Sequence, residues 1–434
     1  MPLPLPVFFV RLIVSLAICS VASDFFGFGL SVHAQEGSDF SFRNGIGYKA
    51  SGPVHQPASA DGLTYPRAER SNWWQPAYSV DSFSRLDDIW PSHNVRHGHT
   101  SALPRRKFEP ELRYTSVGLM GGSVQTLDGY FSKNPVTGLL LVKDGQIIVE
   151  RYQYGRTDRQ RMTSFSMAKT LVAMMVGLAV QEGRIRSIDD KAEVYVKNLK
   201  GTAYGETPLR HLLTMSSGVQ FREEYDGNDD SARLSRATFG GQTAGGVEAT
   251  KLFDLRIAAP GERWSYASSE TYVLALVLRA AIGRPLADYF SEKIWIPIGA
   301  EADASFLIDA SGNEIGYMGF NAVLRDYARL GVMMAQQGRY KDRQVIPLAW
   351  WREMTRAHFT PAQTGRWFGY GFQTWIFPAN DGSFAFLGVR GQSLFVDPVN
   401  RLVLVQTAVR PLARDPGGAD TTALWRAFKA TMAR

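Results

Sequence analysis

The chain has 434 residues, 45% hydrophobic and 12% aromatic, enough to bury one large core or two closely joined ones. Its formal charge of +7 is spread along the sequence with no cluster of consecutive Lys and Arg, which argues against nucleic-acid binding. A single cysteine, Cys19, rules out an intrachain disulfide and a cysteine-built metal site.

Residues 7–22 are apolar apart from Arg11 and end in small residues, the pattern of a secretory signal. Val32-His33-Ala34 and Ser20-Val21-Ala22 are alternative cleavage sites, and an uncleaved anchor is the competing reading. A signal over 1–34 predicts an exported, cysteine-free chain, periplasmic or secreted, with no stable membrane association after its removal. From 35 to 115 the sequence is rich in Gly, Pro, Ser and single aromatics. Trp73-Trp74-Gln75-Pro76 and Ile89-Trp90-Pro91 read there as extended segments wrapping a larger body. His93, His97 and His99 invite a metal reading, but metal-dependent hydrolases with a His-x-His pair follow it with an acidic residue and another His. Thr100-Ser101 follow here, so solvated loop histidines are expected, and no metal or cofactor is predicted.

The clearest strands come next, Thr137–Val142 and Gln146–Tyr152, joined across Lys143-Asp144-Gly145 as a hairpin. Residues 164–182 begin polar, with hydroxyl residues suited to a helix N-terminus, and run apolar until Gly183. Such a helix belongs inside a protein. Its first turn carries Ser166 and Lys169, three residues apart and on one face. A partly desolvated lysine falls toward the range of a general base, and a hydroxyl beside it can serve as a nucleophile. Alone, Ser-x-x-Lys is expected about once by chance in a chain this long.

Thr207 to Gly218 reads as a helix capped by Thr207, with Pro208 first and Gly218 at its end. Phe221–Gly246 reads as a loop. A second amphipathic helix is expected over Glu270–Ile282 and another over Asn321–Gln337. Strands return at Gly369–Phe377, Ser383–Gly388, Gln392–Val396 and Leu402–Ala408, and a closing helix aligns Leu424, Phe428 and Met432. Strands near both ends with helices between predict an α+β domain over 116–434, its sheet joining distant parts of the chain. A helical subdomain would be inserted at about 187–265.

Three motifs stand in order: Ser166-Met167-Ala168-Lys169, Tyr266-Ala267-Ser268 and Val389-Arg390-Gly391-Gln392. Together with Leu209–Gly218 and Pro260–Tyr266, this order resembles the serine β-lactamase and penicillin-binding superfamily. The closest branch is the class C-like one. Gly319-Phe320-Asn321 and Arg325-Asp326-Tyr327-Ala328-Arg329-Leu330-Gly331 look most like its 6-aminohexanoate-dimer hydrolase and esterase members. The resemblance implies a β-lactamase/transpeptidase-like fold, a mainly antiparallel sheet flanked by helices. It implies Ser166 as nucleophile, Lys169 and Tyr266 as proton-transfer groups, and an oxyanion site from the N–H groups of Ser166 and Gln392, beside Gly391. Ser268 stands where many relatives carry Asn, and Tyr225 corresponds to a substrate-contacting tyrosine of the aminohexanoate branch. Relatives place Lys or His where Val389 stands; Arg390, its neighbour, is not an automatic substitute because adjacent strand residues face opposite sides.

The expected function is hydrolysis of a small-molecule ester or small amide through a Ser166 acyl-enzyme. A β-lactamase or D,D-peptidase and an inactive muropeptide- or partner-binding homologue are the alternatives. An α/β-hydrolase is disfavoured because no G-x-S-x-G occurs, leaving His211 and His358 to structural roles. Oligomeric state is not set by the sequence.

Overall fold

A computed structural model describes residues 65–116, 122–239, 245–414 and 417–432. The predicted signal and both cleavage sites lie outside the described residues. So does the first part of the predicted wrapping segment.

The main sheet has seven strands, all antiparallel: β1 (Val136–Lys143), β2 (Gln146–Tyr152), β3 (Gly369–Tyr370), β4 (Trp375–Ile376), β5 (Phe384–Gly388), β6 (Gln392–Asp397) and β7 (Leu402–Ala408). Their spatial order is β3-β4-β5-β6-β7-β1-β2, so the last long strand pairs with the first. The β1–β2 turn has Asp144 at φ 53° and Gly145 at φ 73°, the left-handed pair that matches a two-residue hairpin to strand twist.

Both faces of this sheet are buried, so its strands are apolar at nearly every position rather than alternating with polar residues. Leu140, Val142, Leu394, Val403 and Val405 face the larger core. That core contains α1 (Ala168–Gln181), α2 (Ser268–Ile282) and α3 (Leu324–Ala335). Leu139, Leu141, Phe395 and Leu404 face the opposite side, against Leu424, Trp425 and Phe428 of α4 (Gly417–Met432). A smaller antiparallel sheet orders Ser92–Val95, Ala304–Leu307, Phe320–Ala322 and Met162–Thr163, and its last strand leads directly into the Ser166 turn.

Several expectations need correction. Phe221–Gly246 is not all loop: Asp230–Phe239 is a helix, with Asp229 accepting from the Ala232 N–H and Leu234, Ala237 and Thr238 buried. The helix before Gly218 stops at Leu213 because Met215 turns left-handed at φ 55°. Gly218 instead allows close approach of Ala258, whose carbonyl a Cβ there would meet at 1.9 Å. Asn321 lies in a strand, and the helix after it starts at Leu324. The α2 helix is not amphipathic in its first eleven residues, Ser268 to Leu278, which are all buried. His93 is a strand residue, its Nδ1 2.7 Å from buried Glu314, and His97 sits 2.6 Å from Asp303. Among the described residues no cluster of His, Cys, Asp and Glu could hold a metal ion.

Candidate active site

Ser166 lies in a single 3-10 turn, Phe165–Met167, at the mouth of α1. Phe165 has φ +43°, a conformation rare for a bulky residue. Aromatic neighbours hold it: the Phe83 ring is 4.8 Å away edge-on and the Trp74 ring 5.6 Å. The turn leaves Ser166 partly exposed above a buried helix.

Lys169, one turn along, is 1% exposed. Its Nζ donates to Ser166 Oγ at 2.9 Å, Ser268 Oγ at 3.0 Å and the Tyr317 carbonyl at 2.9 Å. Three acceptors match the three N–H groups of an ammonium. Burial nevertheless lowers its pKa to about 8, against the opposing pull of the Glu223 carboxylate. Roughly a tenth of Lys169 is then neutral near pH 7, with a lone pair to receive the Ser166 proton.

Tyr266 ends the turn that precedes α2. Its ring stacks on Trp375 at 5.3 Å and lies 5.0 Å from Lys169 Nζ, and its phenol is near enough to Ser166 for the Ser166 hydroxyl to oppose the rise in its pKa. Burial, then the Glu223 charge, push this phenol well above its ordinary value, so it is a proton donor at rest. The structure thus brings Ser166, Lys169, Tyr266 and Ser268 together.

Sequence reasoning missed Glu223. This residue is 5% exposed and accepts from the Ser268 N–H at 2.7 Å, Ser268 Oγ at 2.8 Å and the Tyr225 hydroxyl at 2.6 Å. Ser268 Oγ therefore bridges the Lys169 amine and a carboxylate. The available signal was alternation: in Phe221-Arg222-Glu223-Glu224-Tyr225 an extended chain points Glu223 inward with Phe221 and Tyr225.

The third motif is arranged differently from the expectation. Gly388 ends β5 against the nucleophile turn, so close that a Cβ would lie 2.4 Å from the Ser164 carbonyl. Val389 follows it on the cavity wall. Arg390 turns left-handed at φ 59° and Gly391 follows at φ 93°, carrying Gln392 away from the cavity. The Gln392 side chain donates to the Ala408 carbonyl at 2.7 Å and accepts from the Ala408 N–H at 3.0 Å, fastening β7 instead. Neither Gly391 nor Gln392 lines the cavities at Ser166, whereas Val389 lines both.

Two cavities share Ser166, Tyr225 and Val389 on their walls. The first, about 290 Å³, adds Trp73, Trp74, Phe165, Glu223 and Ser268. The second, about 280 Å³, adds Tyr266, Trp367, Trp375, Arg366 and Arg414. A scissile carbonyl at Ser166 would have room on both sides.

Such a fold, with a Ser-x-x-Lys turn facing a tyrosine across a two-lobed cleft, is that of a serine hydrolase. The family model described as Beta-lactamase matches residues 131–425, and the chain belongs to that family. It is 22% identical over 366 residues to 6-aminohexanoate-dimer hydrolase of Paenarthrobacter ureafaciens, covering 82% of this chain and 91% of that protein. A Bacillus anthracis structure assigned as a 6-aminohexanoate-dimer hydrolase superposes with a TM-score of 0.76 at 24% identity, covering 85% of this chain and 98% of that one. A family VIII carboxylesterase superposes with a TM-score of 0.51 at 18% identity, over 68% of this chain and 93% of that one.

Proposed function

We propose that the chain cleaves an ester or small amide through an acyl-enzyme on Ser166. The observation that carries this reading is the buried Lys169 amine, depressed to a pKa of about 8 and 2.9 Å from the Ser166 hydroxyl. Neutral Lys169 takes the Ser166 proton as Oγ bonds to the substrate carbonyl carbon. The oxyanion is met by the N–H groups of Ser166 and Val389. The carbon–heteroatom bond then breaks, and the Tyr266 phenol gives its proton to the leaving group and regains one from the Lys169 ammonium. Water attacks the acyl ester by the reverse relay, returning the proton to Ser166. Of the two cavities that Ser166 lines, Tyr266 lines the second, so the leaving group belongs there and the acyl group in the first. The names of the aminohexanoate relatives and the esterase neighbour favour amide and ester substrates over a lactam.

The test is labelling with a fluorophosphonate probe: the modified peptide is expected to contain Ser166, and Ser166→Ala to abolish labelling and ester turnover. Labelling elsewhere, or none, refutes the reading.

A second reading, a substrate carrying a carboxylate as penicillins and peptide stems do, is favoured by one observation. Arg366 and Arg414 line the leaving-group cavity although Val389 has removed the motif cation. The comparison of 4-carboxyphenyl acetate with phenyl acetate decides it: the second reading predicts that Arg366→Gln lowers the ratio of their kcat/KM several-fold.

Export through the predicted signal remains part of the proposal, tested by whether the chain fractionates outside the cytoplasm without residues 1–34.

A further inference from the structure

Arg390 is a cation beside the place where relatives carry one, yet its side chain serves something else. It is 5% exposed and no carboxylate pairs with it among the described residues. Its guanidinium donates to three main-chain carbonyls, Pro411 at 2.8 Å, Trp74 at 3.1 Å and Arg410 at 3.2 Å. It also lies 4.3 Å from the centre of the Trp74 ring. One planar fork therefore joins the N-terminal segment to the chain leaving β7, with its charge met by carbonyl dipoles and an aromatic face.

What this fork holds is a wall of the acyl cavity. Trp73 and Trp74 both line that cavity, 5.2 Å apart ring to ring. Trp73 continues onto Phe239 at 6.0 Å, and Trp74 onto Phe165, the residue before the nucleophile, at 5.6 Å. The wall comes from a segment that precedes the 131–425 match to the family model.

We propose that Trp73 and Trp74 form the specificity wall that limits the acyl group to short chains, and that Arg390 is the positioning residue that clamps this wall shut. The inference rests on the acyl-enzyme reading above, with the acyl group in the Trp-lined cavity. Removing the Trp73 indole opens the cavity sideways without touching the leaving-group side, whereas removing Trp74 also takes away a ring that holds Phe165, a loss shared by every ester and cancelled in a ratio of two acyl groups. Removing the guanidinium frees the segment, leaves the Trp74 carbonyl without its donor, and lets the wall swing out.

The experiment measures kcat/KM for p-nitrophenyl esters from acetate to decanoate in the wild-type chain, Trp73→Ala, Trp74→Ala and Arg390→Met. A parallel series varies the leaving group at constant acetyl. The octanoate-to-acetate ratio is expected to rise about tenfold or more in Trp74→Ala and Arg390→Met, while the leaving-group series keeps its slope. A structural role alone would lower every ester equally, and that outcome, or an unchanged profile in Trp74→Ala, overturns the wall. The clamp has a readout free of turnover. Trypsin is expected to cut Arg390→Met, but not wild type, at Arg67, Arg70 or Arg85; equal resistance overturns it. Ester turnover surviving in Ser166→Ala would instead refute the acyl-enzyme reading, so the two failures are separable.

Discussion

Substituting Glu223 by Gln tests the electrostatics of the site most directly. The carboxylate reaches Lys169 through Ser268 Oγ, with links of 2.8 Å and 3.0 Å. Two hydrogen bonds in series put the charges roughly 5 Å apart, and at an effective dielectric of ~20 their attraction is about 3 kcal/mol. That is roughly two pKa units at most, and water in the cleft reduces it. In the wild-type chain kcat/KM should rise with pH through the Lys169 midpoint near 8, because the neutral amine is the active form. Glu223 holds that midpoint up; without its charge, desolvation acts unopposed and the acid limb should move to between about pH 6 and 7. The plateau falls as well, since Gln presents one amide donor where the Ser268 N–H and hydroxyl both need acceptors. The diagnostic is therefore the position of the acid limb, not the maximal rate. It is measured as kcat/KM for a p-nitrophenyl ester between pH 5 and 10. A limb that stays near 8, or moves upward, refutes the assignment of Lys169 as the base under Glu223 control.

Gly388→Ala should separate activity from folding. The added Cβ meets the Ser164 carbonyl at 2.4 Å and Phe165 Cβ at 3.2 Å, pushing β5 off the nucleophile turn and carrying Val389 N–H with it. Stability is expected to drop by about 1–3 kcal/mol in urea melts, while kcat/KM falls about a hundredfold. Glu270→Gln should remove a pH dependence of stability. Burial raises this carboxyl from 4.5 to about 8, and the Ser217 hydroxyl donates to its Oε1 at 2.6 Å. The folded state keeps the proton that the unfolded chain releases, so wild-type stability falls as pH rises from about 4.5 to 8, by up to a few kcal/mol. Urea melts of Glu270→Gln should lack that slope, and a mutant-to-wild-type difference constant between pH 5 and 8 would contradict the buried protonated acid.

Much of this molecule was decided by local chemistry, which a sequence displays. Asp144-Gly145 can close only a tight hairpin, Leu402–Ala408 was legible as a strand, and the helix from Ala168 shows itself by its apolar run over 171–180. Ser166 and Lys169 also belong to that local layer, because three residues of helix bring them face to face. Tyr266, Ser268 and Tyr225 came from resemblance to a family, since no periodicity links positions so far apart. Glu223 was invisible for a different reason: a carboxylate in an acidic loop looks solvated until tertiary packing buries it against Ser268. Likewise the direction of residues 389–392 depended on Arg390 taking a left-handed turn, which swaps the strand faces that alternation predicts. Helix spacing fixes contacts within a turn, whereas the sign and reach of charges across the cleft arise only when separate segments exclude water between them.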